Sequence, residues 1–172
     1  MGVQNRYGFS TVMGAAGGIF DLAPYAIDSF INEADNGAIR FGEAAFRGTK
    51  PGLNVKKAYS GATADKFEGI ITNNRCTEYD VDGNLSIRKG ATLGVMRYGR
   101  IYARLAEDIT PAVGDKVYVV LTGDDAGCFT NEATGNVEIA ARFLGIKDAS
   151  ANIALVELFN APAPVAAEAD ED

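Results

Sequence analysis

The 172-residue chain contains no histidine. The commonest general base and a common metal ligand are therefore missing, which excludes Ser-His and Cys-His nucleophile schemes. Two cysteines, Cys76 and Cys128, are too few for a disulfide framework, and without histidine they cannot complete a usual zinc site. They read as buried free thiols. No apolar run approaches the roughly 18 residues that a membrane helix needs. In the opening stretch MGVQNRYGFSTVMGAAGGIF, Gln4, Asn5 and Arg6 interrupt the apolar residues where a secretory leader would need a continuous core of about 7–15. A non-secreted chain with no membrane partner is expected. Gly2 follows Met1, but Tyr7 stands where an N-myristoylation signal would carry Ser or Thr.

What is present suits a folded domain. Hydrophobic residues make up 47% and charged residues 23%, which argues against disorder across the whole chain. A domain of about 150 residues buries roughly 68–70% of its unfolded surface, so a core without staples is expected. The formal net charge is -7. Part of it sits in the ending NAPAPVAAEADED (160–172), which reads as a flexible acidic C-terminal tail. Without that tail's four acids, the acidic residues still outnumber the 16 cations.

The punctuation changes near residue 38. Residues 1–37 hold glycines at 2, 8, 14, 17, 18 and 37 and scattered apolar residues, Phe9, Ile19, Phe20, Leu22 and Tyr25 among them. They read as an extended N-terminal arm that is costly to order alone, with one short helix suggested by Ile27, Phe30 and Ile31 and ended by Gly37. From 38 to 159, short β-prone runs such as KFEGIIT, DKVYVVLT, VEIAARFLG and NIALVELF alternate with the turn signals KPG, VDGN, VGD, GDDAG and ATGN. No amphipathic helix of crossover length separates them. The fold class expected is all-β, a compact barrel or sandwich-like single domain.

One stretch departs from the acidic background. KGATLGVMRYGRIYARL (89–105) has four cations, two tyrosines and no acid. As a regular strand it puts Met96, Tyr98, Arg100, Tyr102 and Arg104 on one face and Val95, Gly99, Ile101, Ala103 and Leu105 on the other. Arg97 breaks the apolar side just where Gly99 would permit a bulge. Tyr and Arg are enriched at protein interfaces, but the same pair can stack bases and contact phosphates, and an ordinary solvated sheet face would look alike. The candidate interface residues are Tyr98, Arg100, Tyr102 and Arg104, joined by Phe9, Phe20 and Tyr25 of the arm.

Catalytic and cofactor motifs are not met. DVDGN (80–84) lacks the register of a calcium loop and reads as a hairpin turn, as GDDAG (123–127) does. GAAGG (14–18) neither follows a strand nor opens a helix as a phosphate loop requires. No catalytic residue, cofactor or metal is expected.

The order of segments carries a resemblance. FGEAAFRGTKPG, then KFEGIITNNRCTEYDVDGNLSIRKGATLGVMRYGRIYARL, then ITPAVGDKVYVVL, GCFTNEATGNVEIAARFLG and NIALVEL resemble the structural cement, or decoration, proteins of tailed-bacteriophage capsids, from about Arg40 to Leu158. The resemblance implies a non-enzymatic virion protein made in the host bacterial cytoplasm. It would bind the capsid exterior as a homotrimer and clamp neighbouring major capsid subunits, without nucleic acid. A small β-barrel module for single-stranded nucleic acid stands as the alternative, opposed by the acidic body. A carboxylate-dyad hydrolase is weaker still. Far-ultraviolet circular dichroism should show a strand-dominated spectrum; a helix-dominated one would overturn the fold assignment.

Overall fold

A computed structural model describes residues 14–73, 86–148 and 151–159. Residues 1–13, which include Phe9, and the acidic tail 160–172 lie outside the described residues, as does the DVDGN turn. Among the described residues there are nine strands, one 3-10 turn at Ala64–Lys66 and no α-helix. In chain order the strands are β1 (Ala26–Asn32), β2 (Ala44–Arg47), β3 (Asn54–Lys56), β4 (Phe67–Ile71), β5 (Thr92–Arg104), β6 (Val113–Val119), β7 (Phe129–Thr130), β8 (Val137–Asp148) and β9 (Ile153–Leu158).

Their hydrogen-bonded order is β1-β3-β2-β4-β5-β9-β8-β6-β7, with a further pairing of β1 to β5. That extra pairing closes the first five strands into a ring. Closure removes the unpaired strand edges that an open sheet would present. The ring's interior takes a side chain from every strand: Phe30, Ala45, Val55, Ile71, Leu93 and Val95, with Ile39, Phe41 and Ile87 from the loops. A larger core lies on the outside of β2, β4 and β5. There Ala44, Phe46, Ile70, Met96, Ile101 and Ala103 meet Val117, Val119, Phe129, Ile139, Phe143, Ala154, Val156 and Leu158 from the second sheet. A parallel bridge between Leu105 and Phe129 brings β7 back toward the end of β5, so this sheet also curls round its core.

β2, β4 and the first half of β5 thus form a wall with a core on each side. Successive side chains face alternate cores, Ala44 and Phe46 against Ala45, Ile70 against Ile71, Met96 against Val95. This explains why AAF and GII read as continuous apolar runs: a strand buried on both faces has no polar alternation to show.

Two irregularities set the faces of the wall. In the β2–β4 pairing Ala45 faces Gly69 and Phe46 faces Phe67, leaving Glu68 as an extra residue. In the β1–β5 pairing Ala26 faces Tyr98 and Ile27 faces Met96, leaving Arg97 extra. An extra residue reverses the inside-outside alternation beyond it. Met96 therefore shares a core with Ile101 and Ala103, which corrects the regular-strand expectation that put it with Tyr98, Arg100 and Tyr102. Glycine is required nearby: Gly69 has φ 143°, and a Cβ there would clash with the Met96 carbonyl oxygen.

The helix expected over Ile27–Ile31 is corrected to strand β1. Three apolar residues at helical spacing are also compatible with a strand whose inward positions are Phe30 and Asn32, and the tertiary pairing decides. β3 was likewise not among the expected runs. Residues 86–90, SIRKG, are outside any strand.

Phe46 is fully buried between the rings of Tyr59 and Phe67, with centroids 6.2 and 5.9 Å away. Phe46→Ala should lower unfolding free energy by about 3–5 kcal/mol in urea denaturation. Leu22→Ala, at a side chain 94% exposed, should stay within about 0.5 kcal/mol of the parent.

Candidate protein interface

β5 pairs with β9 from Gly99 to Arg104 along one edge, while its pairing with β4 is confined to Val95 and Met96. The opposite edge beyond Gly99 would leave backbone groups without partners. Residues 14–21 supply them. The Gly17 N–H donates to the Tyr102 carbonyl at 2.7 Å, the Tyr102 N–H to the Gly18 carbonyl at 3.0 Å, and the Phe20 N–H to the Arg100 carbonyl at 3.0 Å. This strap covers Tyr102, which is only 8% exposed and packs with Ile153, Leu155, Ala16 and Leu144. Phe20 meets the Tyr102 ring edge-on at 6.0 Å. Burial pushes the Tyr102 phenol up from its ordinary pKa.

The strap then leaves large apolar side chains in solvent. Ile19, Phe20, Leu22 and Tyr25 are exposed, as are Tyr98 and Phe159. Tyr25 crosses β5 at Gly99, where a Cβ would come within 2.7 Å of the Tyr25 Cβ. Tyr98 precedes Gly99, and Phe159 follows Leu158, the register partner of Gly99. Phe20, Tyr25, Tyr98 and Phe159 therefore belong to one neighbourhood of the surface.

Charged groups around it are paired internally. Register aligns Arg100, Glu157 and Arg142 across β5, β9 and β8. Arg100 Nε donates to Glu157 at 3.0 Å and its Nη1 to Asp21 at 3.0 Å; Arg142 Nε donates to Glu157 at 2.7 Å. The Arg142 guanidinium also lies 5.6 Å from the Phe159 ring centre, a cation–π distance. Burial draws the Glu157 pKa upward, but hydrogen bonds from Arg100 and Arg142 outweigh it and hold the carboxyl below its usual range. On the other side of Tyr98 in sequence, Arg97 pairs with Asp28 and with Glu68, both at 3.1 Å, and Arg47 reaches the other Glu68 oxygen at 2.8 Å.

Of the sequence candidates, the structure brings together Phe20, Tyr25, Tyr98 and Arg100, with Tyr102 beneath them. Arg104 sits elsewhere: its Nε donates to the Phe41 carbonyl at 2.9 Å, beside Arg40, Glu43 and Cys128. Phe159, Glu157 and Arg142 were missed. Their signal was slight, an acid and an arginine each set in an apolar strand, and only strand register joins them. Cys128 is buried, and that burial, with Glu43 nearby, pushes its thiol pKa up to about 11.

The profile of the family described as "Structural cement protein (E217 gp24/Pam3 gp6)" matches residues 3–159. The chain belongs to this bacteriophage cement protein family. Among solved structures, it is similar to a chain of "The capsid of Myoviridae Phage XM1", with a TM-score of 0.69 and 22% identity; the match covers 93% of this chain and 99% of that one. At that identity the likeness concerns the fold. No curated protein matches.

The lowered Glu157 pKa has a defined consequence for this family member. Stability from the charged carboxylate is fully present above the unfolded-state pKa of about 4.3 and is lost as pH falls through the lower folded value. Urea midpoints at pH 7 and pH 3 should therefore differ more for the parent than for Glu157→Gln. Equal acid losses in both would remove Glu157 as a contributor.

Proposed function

We propose that this protein binds the exterior of a bacteriophage head and cements neighbouring major capsid subunits, with no catalytic step, cofactor or nucleic acid involved. The family match over residues 3–159 carries this reading. The exposed group of Phe20, Leu22, Tyr25, Tyr98 and Phe159 supports a contact face there, because large apolar side chains in solvent beside a polar surround have the anatomy of an interface. The protein acts as a homotrimer on the capsid surface; of the expected arm 1–37, the strap and β1 are held by the chain itself, and the exposed Phe20, Leu22 and Tyr25 are what it offers to a neighbour.

The chemistry of clamping is equilibrium linkage. A protein that binds the joined lattice and not the separated subunits shifts the balance toward the joined state. Repetition over a shell lets modest contacts act together through avidity. Arg97, Arg100 and Arg142 already hold carboxylates of their own chain, so they have little charge left to offer phosphates. That favours a protein partner over a nucleic acid, whose binding would rest on counterion release.

Tyr25 and Tyr98 changed together to Ala should weaken occupancy of particles by about 2 kcal/mol, roughly 30-fold, if both are interface anchors. Particles stripped of the protein and re-saturated with variant or parent provide the measurement, with oligonucleotide retention recorded alongside. Unchanged occupancy, or loss of a tight and salt-sensitive oligonucleotide affinity instead, would reject this face as the protein contact.

A further inference from the structure

Five of the described arginines share a pattern from which Arg104 departs. Arg40, Arg47, Arg97, Arg100 and Arg142 each pair with a carboxylate of the chain. Arg104 has no ion pair among the described residues; its Nε is tethered to the Phe41 carbonyl at 2.9 Å, and its side chain is only partly exposed. The tether fixes the plane of the guanidinium and leaves its two terminal nitrogens for another acceptor. Glu43, the nearest buried carboxylate, is occupied. Its Oε1 accepts from Arg40 Nε at 2.5 Å and its Oε2 from the Arg40 backbone N–H at 2.9 Å. Burial, and then the neighbouring Arg40 charge, pull the Arg104 pKa below the ordinary guanidinium value. Glu43 draws the Arg104 pKa the other way without offsetting those two effects, so Arg104 remains a half-buried, pre-oriented cation with no direct ion pair among the described residues, a state that an incoming anion relieves.

We propose that Arg104, backed by Arg40, is a receptor for one carboxylate side chain, an aspartate or glutamate of a neighbouring capsid subunit. The inference rests on the cement reading for its partner, while the carboxylate site stands on the geometry. The fixed guanidinium plane suits bidentate carboxylate binding. Glu43 and Asp125 lie close enough to influence Arg40, and their negative charges favour a monoanion over a doubly charged phosphate. This site lies apart from the aromatic face, so the protein would meet its lattice through two unlike contacts, one apolar and one ionic.

Two measurements test it. Acetate titrated into the intact protein at constant ionic strength, followed through the arginine Nε–Hε resonances, should move the Arg104 signal saturably, with chloride producing no such change and inorganic phosphate a smaller one. In particle re-saturation, Arg104→Gln should reduce occupancy about tenfold or more, Arg104→Lys should recover part of it, and both should melt near the parent temperature. An Arg104 resonance indifferent to acetate overturns the proposal, because the guanidinium is then already satisfied within the chain. So does an Arg104→Gln protein that fills particles like the parent. A parent protein that binds acetate at Arg104 but never binds particles would support the carboxylate site and overturn the cement reading.

Discussion

Glu68 is an acid with a side chain only 6% exposed, set on the wall between two cores, and the arrangement of that wall depends on pairing its carboxylate. Arg47 and Arg97 hold one carboxylate oxygen each. An unpaired carboxylate at such a position would cost several kcal/mol. Both Glu68 and Arg97 are the extra residues of bulges on neighbouring strands, so the ion pair ties one irregularity to the other. Ile70 and Met96, register partners across β4 and β5, lie just inside the two bulges and share the larger core.

Much of the fold was legible because turns leave strong chemical marks. Strands β2, β4, β5, β7 and β9 fall within runs bounded by glycine-rich or Asx-containing turns, while β6 starts at Val113 inside the expected VGD turn and β8 continues past its run to Asp148. β1 was not legible, since Phe30 and Ile31 look alike in a helix and a strand, and its partners on β5 lie more than sixty residues away. The faces of β5 were obscured for a related reason. Arg97 signalled an irregularity, but the direction of the flip depends on Glu68 and on β1, neither of which is local.

The candidate site shows the same division. Residue types pointed to Tyr98, Arg100, Phe20 and Tyr25 as contact residues, and the fold assembles these four. Residue types could not tell that Tyr102 would lie under the strap, nor that Arg100 would be committed to Asp21 and Glu157. Such information resides in register. Internal pairing of the charges leaves shape and apolar area as the features that the aromatic face presents, while the proposed site of charge recognition lies at the far end of β5, at Arg104.

The strap has a mechanical property that follows from how it is fastened. Its hydrogen bonds to β5 run across the strand axis, as in any antiparallel ladder, at Gly17, Gly18 and Phe20. A pull along that axis strains all three together, in shear, whereas a pull perpendicular to it opens them one after another, as a zipper opens. The attachment is thus stiff in one direction and yielding in the other. Because β5 continues without interruption from this edge into the closed ring, tension applied lengthwise at the strap passes along a 13-residue strand into both cores at once. On a shell whose subunits are pushed apart within its surface, the alignment of that strand with the direction of stretch would decide how much strain the protein can transmit before it lets go.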